Sequence, residues 1–421
     1  MAISAVERRR LAWAAVAAVV FGCANPPAQV STPGPGPATG EPAVQIGLIV
    51  GAGSVALGGD ATLTVTQPDG ARVLDIPAGE VWRATPVTGG IALANGAGVG
   101  TGTVAEARIV PADSTAPVRV NGRLYRGTLA LLRDRTGLTV VNQVGMEAYL
   151  LGVISGEMGR RDPGEQEALR AQAVVSRTYA LRNLGRWRAD GFDLQPTVAD
   201  QVYGGIGAET PEARDAVQAT AGQILTWGGQ PIDAFFFSTC GGRTADGTEV
   251  FRGADRPYLR SVPDVDGDGV AYCSISPRFR WREEWSGDLL LSVLRRSLPA
   301  ALAVPAGRVN LVREVRIASR TRSGRVGQLT IALGDGDVQV DGPLVRQVLR
   351  TGAGEILRSN AFELSASRSG RRITRLVAEG TGNGHGVGFC QWGAVGRAHA
   401  GQDYRRILAA YYPETDLQRL Y

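Results

Sequence analysis

The sequence predicts an α+β protein, with a β-rich N-terminal region followed by a mixed α/β region that carries the chemistry. Three observations predict it. Short apolar segments separated by turn residues fill the stretch from Val44 to Val141. One well-capped amphipathic helix then begins at Asp162. Beyond it, strand-like and helix-like segments mix without the regular spacing of β–α–β units. The 57 glycines suit a chain of many turns better than a helix bundle.

Taken in order, Arg8, Arg9 and Arg10 precede an apolar run from Leu11 to Phe21. A charged start and an apolar stretch too short to span a bilayer mark residues 1–23 as an export signal. The run ends Val20-Phe21-Gly22-Cys23, similar to a lipoprotein signal box, so Cys23 is the expected lipidation site and the protein an expected membrane-anchored lipoprotein facing the periplasm or wall. A plain secretory signal is the alternative. Residues 24–43 are rich in Pro, Gly, Ala and Thr, have no periodicity, and read as a flexible tether.

Residues 44–122 form the expected β-rich region, with strands at Val44–Val50, Ala61–Thr66 and Val118–Val120. Asn121-Gly122 signals a hairpin between Val118–Val120 and a strand over Leu124–Leu131, and Leu138–Val141 reads as a further strand. Residues 123–421 form the expected main domain. Its best helix runs from Asp162 to about Arg186: Asp162 can cap it, Pro163 suits the first position, and Glu165 completes a capping box. Leu169, Ala173, Ala180 and Leu184 recur on one face. Helices are also expected over Glu212–Thr220, Leu289–Leu298 and Tyr404–Tyr411. Strands are expected within Ile224–Thr239 around a Gly228-Gly229 turn, and over Val312–Ala318 and Gln328–Leu333.

The formal net charge is +5 and there is no lysine, so arginine supplies every positive side chain. The charges are scattered and no nucleic-acid-binding motif is present, which argues against a nucleic-acid partner. An acidic polymer such as the bacterial wall fits the mild positive balance.

Several motifs occur in one order. Glu147-Ala148-Tyr149 through Gly156-Glu157-Met158 comes first, then Glu167 to Val174 and Ser176 to Ala180. Asp200-Gln201-Val202-Tyr203-Gly204-Gly205 and Ser238-Thr239-Cys240-Gly241-Gly242-Arg243-Thr244 follow. Ser323-Gly324-Arg325, Arg358 to Phe362, Gly384-His385-Gly386-Val387-Gly388-Phe389-Cys390-Gln391-Trp392-Gly393-Ala394 and Tyr411-Tyr412-Pro413 complete the series. From Arg123 onward the chain resembles the SpoIID/LytB family, and the ordered series makes chance agreement implausible.

The resemblance implies a lytic transglycosylase that cleaves peptidoglycan glycan strands, with Glu157 as its catalytic acid. The residues agree. Glu157 follows the apolar run Leu150–Ile154 and precedes Met158, surroundings expected to raise a carboxyl's pKa and keep it protonated. One carboxyl suffices when the muramic acid 6-hydroxyl replaces water as nucleophile. Glu147, ten residues earlier, is expected to be structural. Gln172 and Tyr179 share a helix face and could hydrogen-bond sugar, as could Asp200, Gln201 and Tyr203 in their Gly-containing loop. The resemblance adds Arg177, Gly241, Gly242, Thr244, His385, Gln391 and Trp392 to the expected substrate-binding set. No cofactor is required by this chemistry. The LytB side of the family implies a rival: a non-catalytic, wall-binding enhancer of an N-acetylmuramoyl-L-alanine amidase, which would make an amidase a partner.

With Cys23 assigned to lipid, Cys240, Cys273 and Cys390 remain. A Cys240–Cys273 disulfide is expected outside the cytosol. The alternative is a structural zinc held by Cys240, Cys273, Cys390 and His385. Some family members are associated with zinc, though not through ligands that match these residues one for one. Asp264-Val265-Asp266-Gly267-Asp268-Gly269 opens like a calcium loop, but Ile275 stands where a bidentate Glu is needed, so an acidic turn is expected.

Overall fold

The structure, a computed structural model, describes residues 40–100 and 102–421. The expected signal segment, Cys23 and most of the tether lie outside the described residues.

Residues 43–145 build two antiparallel sheets. One has six strands, in the spatial order Ala43–Ala52, Leu138–Gly145, Thr128–Arg133, Ala107–Pro111, Leu63–Thr66, Arg72–Ile76. The other has five, in the order Gly90–Asn95, Val81–Val87, Val55–Gly59, Val118–Val120, Arg123–Tyr125. Alternation along the strands selects the inner face. In Ala107–Pro111, for example, Ala107, Ile109 and Pro111 are buried while Arg108 and Val110 are exposed. Both sheets feed one core through residues such as Ile46, Leu57, Ile91, Ile109 and Leu131.

Asn121-Gly122 forms the expected two-residue turn, with φ of 46° and 83°, between Val118–Val120 and Arg123–Tyr125. The strand expected over Leu124–Leu131 is corrected to two. Gly127, at φ 80°, lies against the Gln143 carbonyl with no room for a Cβ, and there the chain crosses from one sheet to the other. The hairpin therefore straddles residue 122, and Ala43–Ala52 pairs with Leu138–Gly145, so the β region runs on to Gly145.

The helices α1 (Met146–Met158), α2 (Gln166–Arg182) and α3 (Pro211–Ala219) follow. Nothing in the sequence pattern announces α1. Gly145 caps it without a side-chain hydrogen bond, and its apolar residues lie all round it rather than along a stripe. Tertiary burial holds it instead, with Met146, Tyr149, Leu150, Val153 and Ile154 fully buried.

The long helix is shorter than expected at its end. Asp162 N–H donates to Glu165 Oε2 at 3.1 Å and Pro163 opens a short 3-10 turn, as the capping box predicts. The α-helix ends at Arg182 rather than Arg186, because Asn183 donates its side-chain amide to Tyr179 O and Gly185, at φ 76°, turns the chain. Leu184, expected on the core face, lies beyond that end and is 39% exposed. α2 is buried on nearly every side, including Gln172, Ser176, Arg177 and Thr178.

Two further helices, α4 (Gly247–Val250) and α5 (Gly287–Leu302), precede α6 (Gly342–Val348), α7 (Gln391–His399) and α8 (Tyr404–Tyr411). Helices α5 and α6 pack with two three-stranded sheets, built from residues 280–286, 362–369 and 372–381 and from residues 312–320, 326–333 and 336–341, around a second core that includes Trp285, Leu294, Leu329 and Val340. The chain leaves the first core after Cys273 and rejoins it at Val387. Helices α7 and α8 then pack on α2.

One ion pair ties α2 to α1. Arg177, fully buried, donates to Glu147 from Nε at 2.8 Å and Nη2 at 2.6 Å, and to Gln223 O from Nη1 at 2.9 Å. Gly222 N–H and the Tyr421 hydroxyl also donate to Glu147. Burial alone would raise the Glu147 carboxyl, but the hydrogen bonds and charge of Arg177, with Tyr421 and Gly222, hold it below the ordinary value. A carboxyl depressed in the fold stabilises above its unfolded pKa, and that contribution fades as pH falls through the native value. Glu147→Gln strands a buried guanidinium, and is expected to cost on the order of 3 kcal/mol. Urea unfolding at neutral pH should show that loss, and the gap to the parent protein should close in acid.

Candidate active site

The site begins with two glycines. Gly152 and Gly156 sit one turn apart on one face of α1. The Tyr203 ring lies 2.6 Å from where a Cβ on Gly152 would be, and Val202 O 2.7 Å from where one on Gly156 would be. Any larger residue would push the 195–205 loop away. With glycine the loop rests on the helix, and Gly204 N–H donates to Gly152 O at 3.0 Å.

That contact delivers a backbone donor to Glu157, in the last turn of α1. Val202 N–H donates to Glu157 Oε1 at 2.6 Å. Burial pushes the Glu157 pKa up to about 6, against the opposing pull of Val202 N–H and the Gln391 amide. The residue as a whole is only half-buried. Gln391 Nε2, on the other side, makes no well-formed hydrogen bond among the described residues although it is buried.

The loop is bolted from behind. Both oxygens of Asp200 are occupied. Oδ1 accepts from Tyr179 and Arg186, and Oδ2 accepts from Trp187 Nε1 at 2.7 Å and Gln195 N–H at 2.8 Å. Tyr149 of α1 donates to Gln201 Oε1 at 3.2 Å, and Tyr203 donates to Asn142 Oδ1 at 3.0 Å. Tyr203 also packs its ring between Tyr125 and Tyr149. Gln172 is fully buried and donates to Ser176 Oγ at 2.9 Å.

Of the residues expected to touch substrate, Gln172, Tyr179, Asp200, Gln201 and Tyr203 are buried and engaged with protein. Tyr179, Asp200, Gln201 and Tyr203 hold the loop that shapes the wall behind Glu157, and Gln172 bonds within α2. Arg177 is corrected to a structural partner of Glu147. Glu147 lies ten residues before Glu157, about 15 Å along the helix at 1.5 Å per residue.

The second wall comes from the other end of the chain. Phe236–Phe237 pairs in parallel with Phe389–Cys390, laying the Ser238–Thr244 loop beside the Gly384–Ala394 segment. Gly241 and Gly242 take φ of 81° and 103° in this crossing. Thr244 is buried and its Oγ1 accepts from Val262 N–H at 2.8 Å. His385 uses both ring nitrogens: Nε2 donates to Phe236 O at 2.9 Å, and Nδ1 accepts from Val387 N–H at 3.1 Å. Burial, helped by the charges of Arg346 and Arg325, pushes its pKa down to about 4, so it is neutral and holds the loop. Trp392 follows Gln391 at the start of α7, half-buried, with the Arg161 guanidinium 4.3 Å above its ring.

Arg160 and Arg161 are the residues that sequence reasoning missed. They follow the Gly-Glu-Met motif after Gly159 and line a cleft of about 310 Å³ with Asp162, Glu209, Thr210 and Glu212. Glu157 itself is outside that lining, at the end of the helix next to it. The only sequence signal was the pair of adjacent arginines beside the motif.

The cysteines depart from both expected arrangements. Cys240, Cys273 and Cys390 are all free and buried, and Cys240 and Cys273 sulfurs are 3.4 Å apart, beyond the roughly 2.05 Å of a disulfide. They converge instead on Asp264, with all four donor atoms within 4.8 Å of one another. His385 is not the fourth member, because both its nitrogens are committed to the backbone. Asp264 belongs to this cluster rather than to a calcium loop. Downstream, Asp266 accepts from Asp268 and Val270 N–H in the expected acidic turn.

Comparison with known proteins matches this arrangement to a family. The family model described as stage II sporulation protein matches residues 134–227, which include α1, α2 and the loop on Glu157. A second model, for a domain of unknown function, matches residues 272–388, close to the second core. The chain is 31% identical over 299 residues to an uncharacterized protein of Brachyspira hyodysenteriae, covering 71% of this chain and 73% of that one. It is 28% identical over 298 residues to stage II sporulation protein D of Bacillus subtilis, covering 67% of this chain and 77% of that one. An amidase enhancer of Bacillus subtilis is 26% identical over 291 residues, covering 64% of this chain and 40% of that one. With these motifs in order and a relative matched at this identity over most of both chains, the protein belongs to the SpoIID/LytB family.

Proposed function

We propose that the protein is a peptidoglycan lytic transglycosylase with Glu157 as its single acid and base. The observation that carries this reading is one carboxyl, on a half-buried residue, with a pKa near 6 and a backbone N–H on one oxygen. No carboxylate is among the groups that set its pKa, which suits a reaction needing only one. Protonated Glu157 donates to the glycosidic oxygen between muramic acid and glucosamine as the C1–O bond breaks. The resulting carboxylate takes the proton of the muramic acid 6-hydroxyl, whose oxygen closes on C1 to give the 1,6-anhydro product. Val202 N–H steadies the carboxylate between these steps. Arg160, Arg161 and Trp392 are suited to receive sugar rings and carboxylates on the flanking strand.

The likeness to an amidase enhancer supports a second reading, in which the same groove binds wall or an amidase without chemistry. Purified protein incubated with peptide-free glycan, analysed by mass spectrometry for 1,6-anhydro-muramic acid ends, separates the two. Glu157→Gln keeps shape and cannot donate the proton, so turnover should fall roughly a hundredfold to ten-thousandfold while glycan binding and folding persist. Activity within a few-fold of the parent would refute Glu157 as the acid. No activity in the parent either would favour the enhancer.

The pH dependence has a defined sign. The acid form is required, and its fraction falls as pH rises through about 6. A kcat/KM profile should be level below that value and fall with proton concentration above it.

Export and anchoring belong to the same reading. The signal-like run ending in Cys23 and the tether after it would hold the domain at the membrane surface facing the wall. Cys23→Ser should abolish lipid labelling and release the protein from the membrane fraction, and unchanged labelling would rule out lipidation there.

A further inference from the structure

We propose that Cys240, Asp264, Cys273 and Cys390 form a closed structural zinc site that fixes the second wall, the one that bears Gln391. Four donors from four separate segments meet in the interior: the loop after Phe236–Phe237, the turn at Asp264, the 3-10 segment Tyr272–Ile275, and the N-cap of α7. A tetrahedron with bonds of about 2.3 Å to sulfur and about 2.0 Å to oxygen has edges of about 3.5–3.8 Å. Here Cys240 Sγ lies 3.4 Å from Cys273 Sγ and 3.1 Å from Asp264 Oδ2, and every pair is within 4.8 Å. Small shifts close that set around one ion. A disulfide would use two of the four groups and leave the convergence of the third sulfur and the carboxylate without a purpose.

The surroundings are built for anionic donors. Cys240 N–H and Gly393 N–H donate to Cys390 Sγ at 3.1 and 3.2 Å, and Gly242 N–H donates to Cys240 Sγ at 3.3 Å. Asp264 is oriented from behind. Arg397 Nε and the Tyr411 hydroxyl both donate to its Oδ1 at 2.9 Å, which leaves Oδ2 toward the sulfurs. Gly393 lies against Asp264 with no room for a Cβ. Two buried guanidiniums flank the cluster: Arg397, and Arg325, which donates to the carbonyls of Cys240 and Arg243 and also faces Glu249. Three thiolates and one carboxylate carry four negative charges. Arg397, paired with Asp264, offsets one of them, and a divalent cation offsets two more. Binding displaces the three thiol protons to solvent and changes no oxidation state.

Thiolate donors in a tetrahedral set select zinc over magnesium or calcium. With all four positions filled by protein the site is structural rather than catalytic. Its place gives it a task. Cys390 immediately precedes Gln391, the side chain that faces Glu157, so an ion here pins the start of α7 to the Cys240 and Cys273 loops. The proposal does not depend on whether Glu157 cleaves glycan.

Elemental analysis of the full chain, purified without chelator, should find one zinc per molecule, and non-reducing peptide mapping should find Cys240 and Cys273 uncrosslinked. Protein produced with cobalt in place of zinc should show thiolate-to-cobalt charge-transfer absorption and tetrahedral ligand-field bands. Asp264→Asn should lose metal to a chelator far faster than the parent, whereas His385→Gln should retain it. Cys273→Ser should lose the cobalt spectrum; if it does not fold, the parent's metal content and the Asp264→Asn comparison still decide. Metal-free native protein, or a Cys240–Cys273 crosslink, overturns the proposal.

Discussion

The approach of the 195–205 loop to the Gly152–Gly156 face of α1 is the contact on which the rest of the site depends. Two missing side chains let a backbone lie on a helix, and that places Val202 N–H on the Glu157 carboxyl. The neighbouring groups serve this contact. Asp200 clamps the loop through Trp187 and Gln195, Tyr149 holds Gln201, and Tyr203 fills the space that Gly152 leaves open. The polar residues of this loop therefore act at one remove, by holding a backbone donor in place.

The electrostatics of Glu157 and Glu147 show how one helix can carry two carboxyls of opposite character. Both are partly buried, and burial raises both. Glu147 meets a buried guanidinium and two further donors, which more than offset the cost of its charge. Glu157 meets one N–H and an amide, neither of which carries a full charge, so burial prevails and its pKa settles near 6. The difference between the lowered carboxyl and the raised one lies in whether a guanidinium is hydrogen-bonded to it.

The tertiary plan is discontinuous in sequence. The first core takes the chain from residue 44 to Cys273 and again from Val387 to Tyr412, with the second core inserted between. The parallel pairing of Phe236–Phe237 with Phe389–Cys390 and the four-donor cluster both close across that insertion. Arg325 crosses in the other direction, from the second region to the carbonyl of Cys240. The wall that bears Gln391 thus depends on contacts between residues about 150 positions apart in the chain, as Cys240 and Cys390 are.

The sequence by itself determined the α+β class, the Asn121-Gly122 hairpin, the capped start of the helix at Asp162 and the family, because each rests on local chemistry. Turn residues, capping boxes and ordered motifs act over a few neighbours and can be read there. It could not reveal α1, whose apolar residues have no single face and whose stability comes from tertiary burial of much of its surface. Nor could it separate Arg177, paired with Glu147, from residues near Glu157, or show that Asp264 rather than His385 joins the cysteines. Those assignments depend on which distant segments share space. Spacing along the chain carries no record of a loop laid on two glycines, or of four donors brought together by the close of a core.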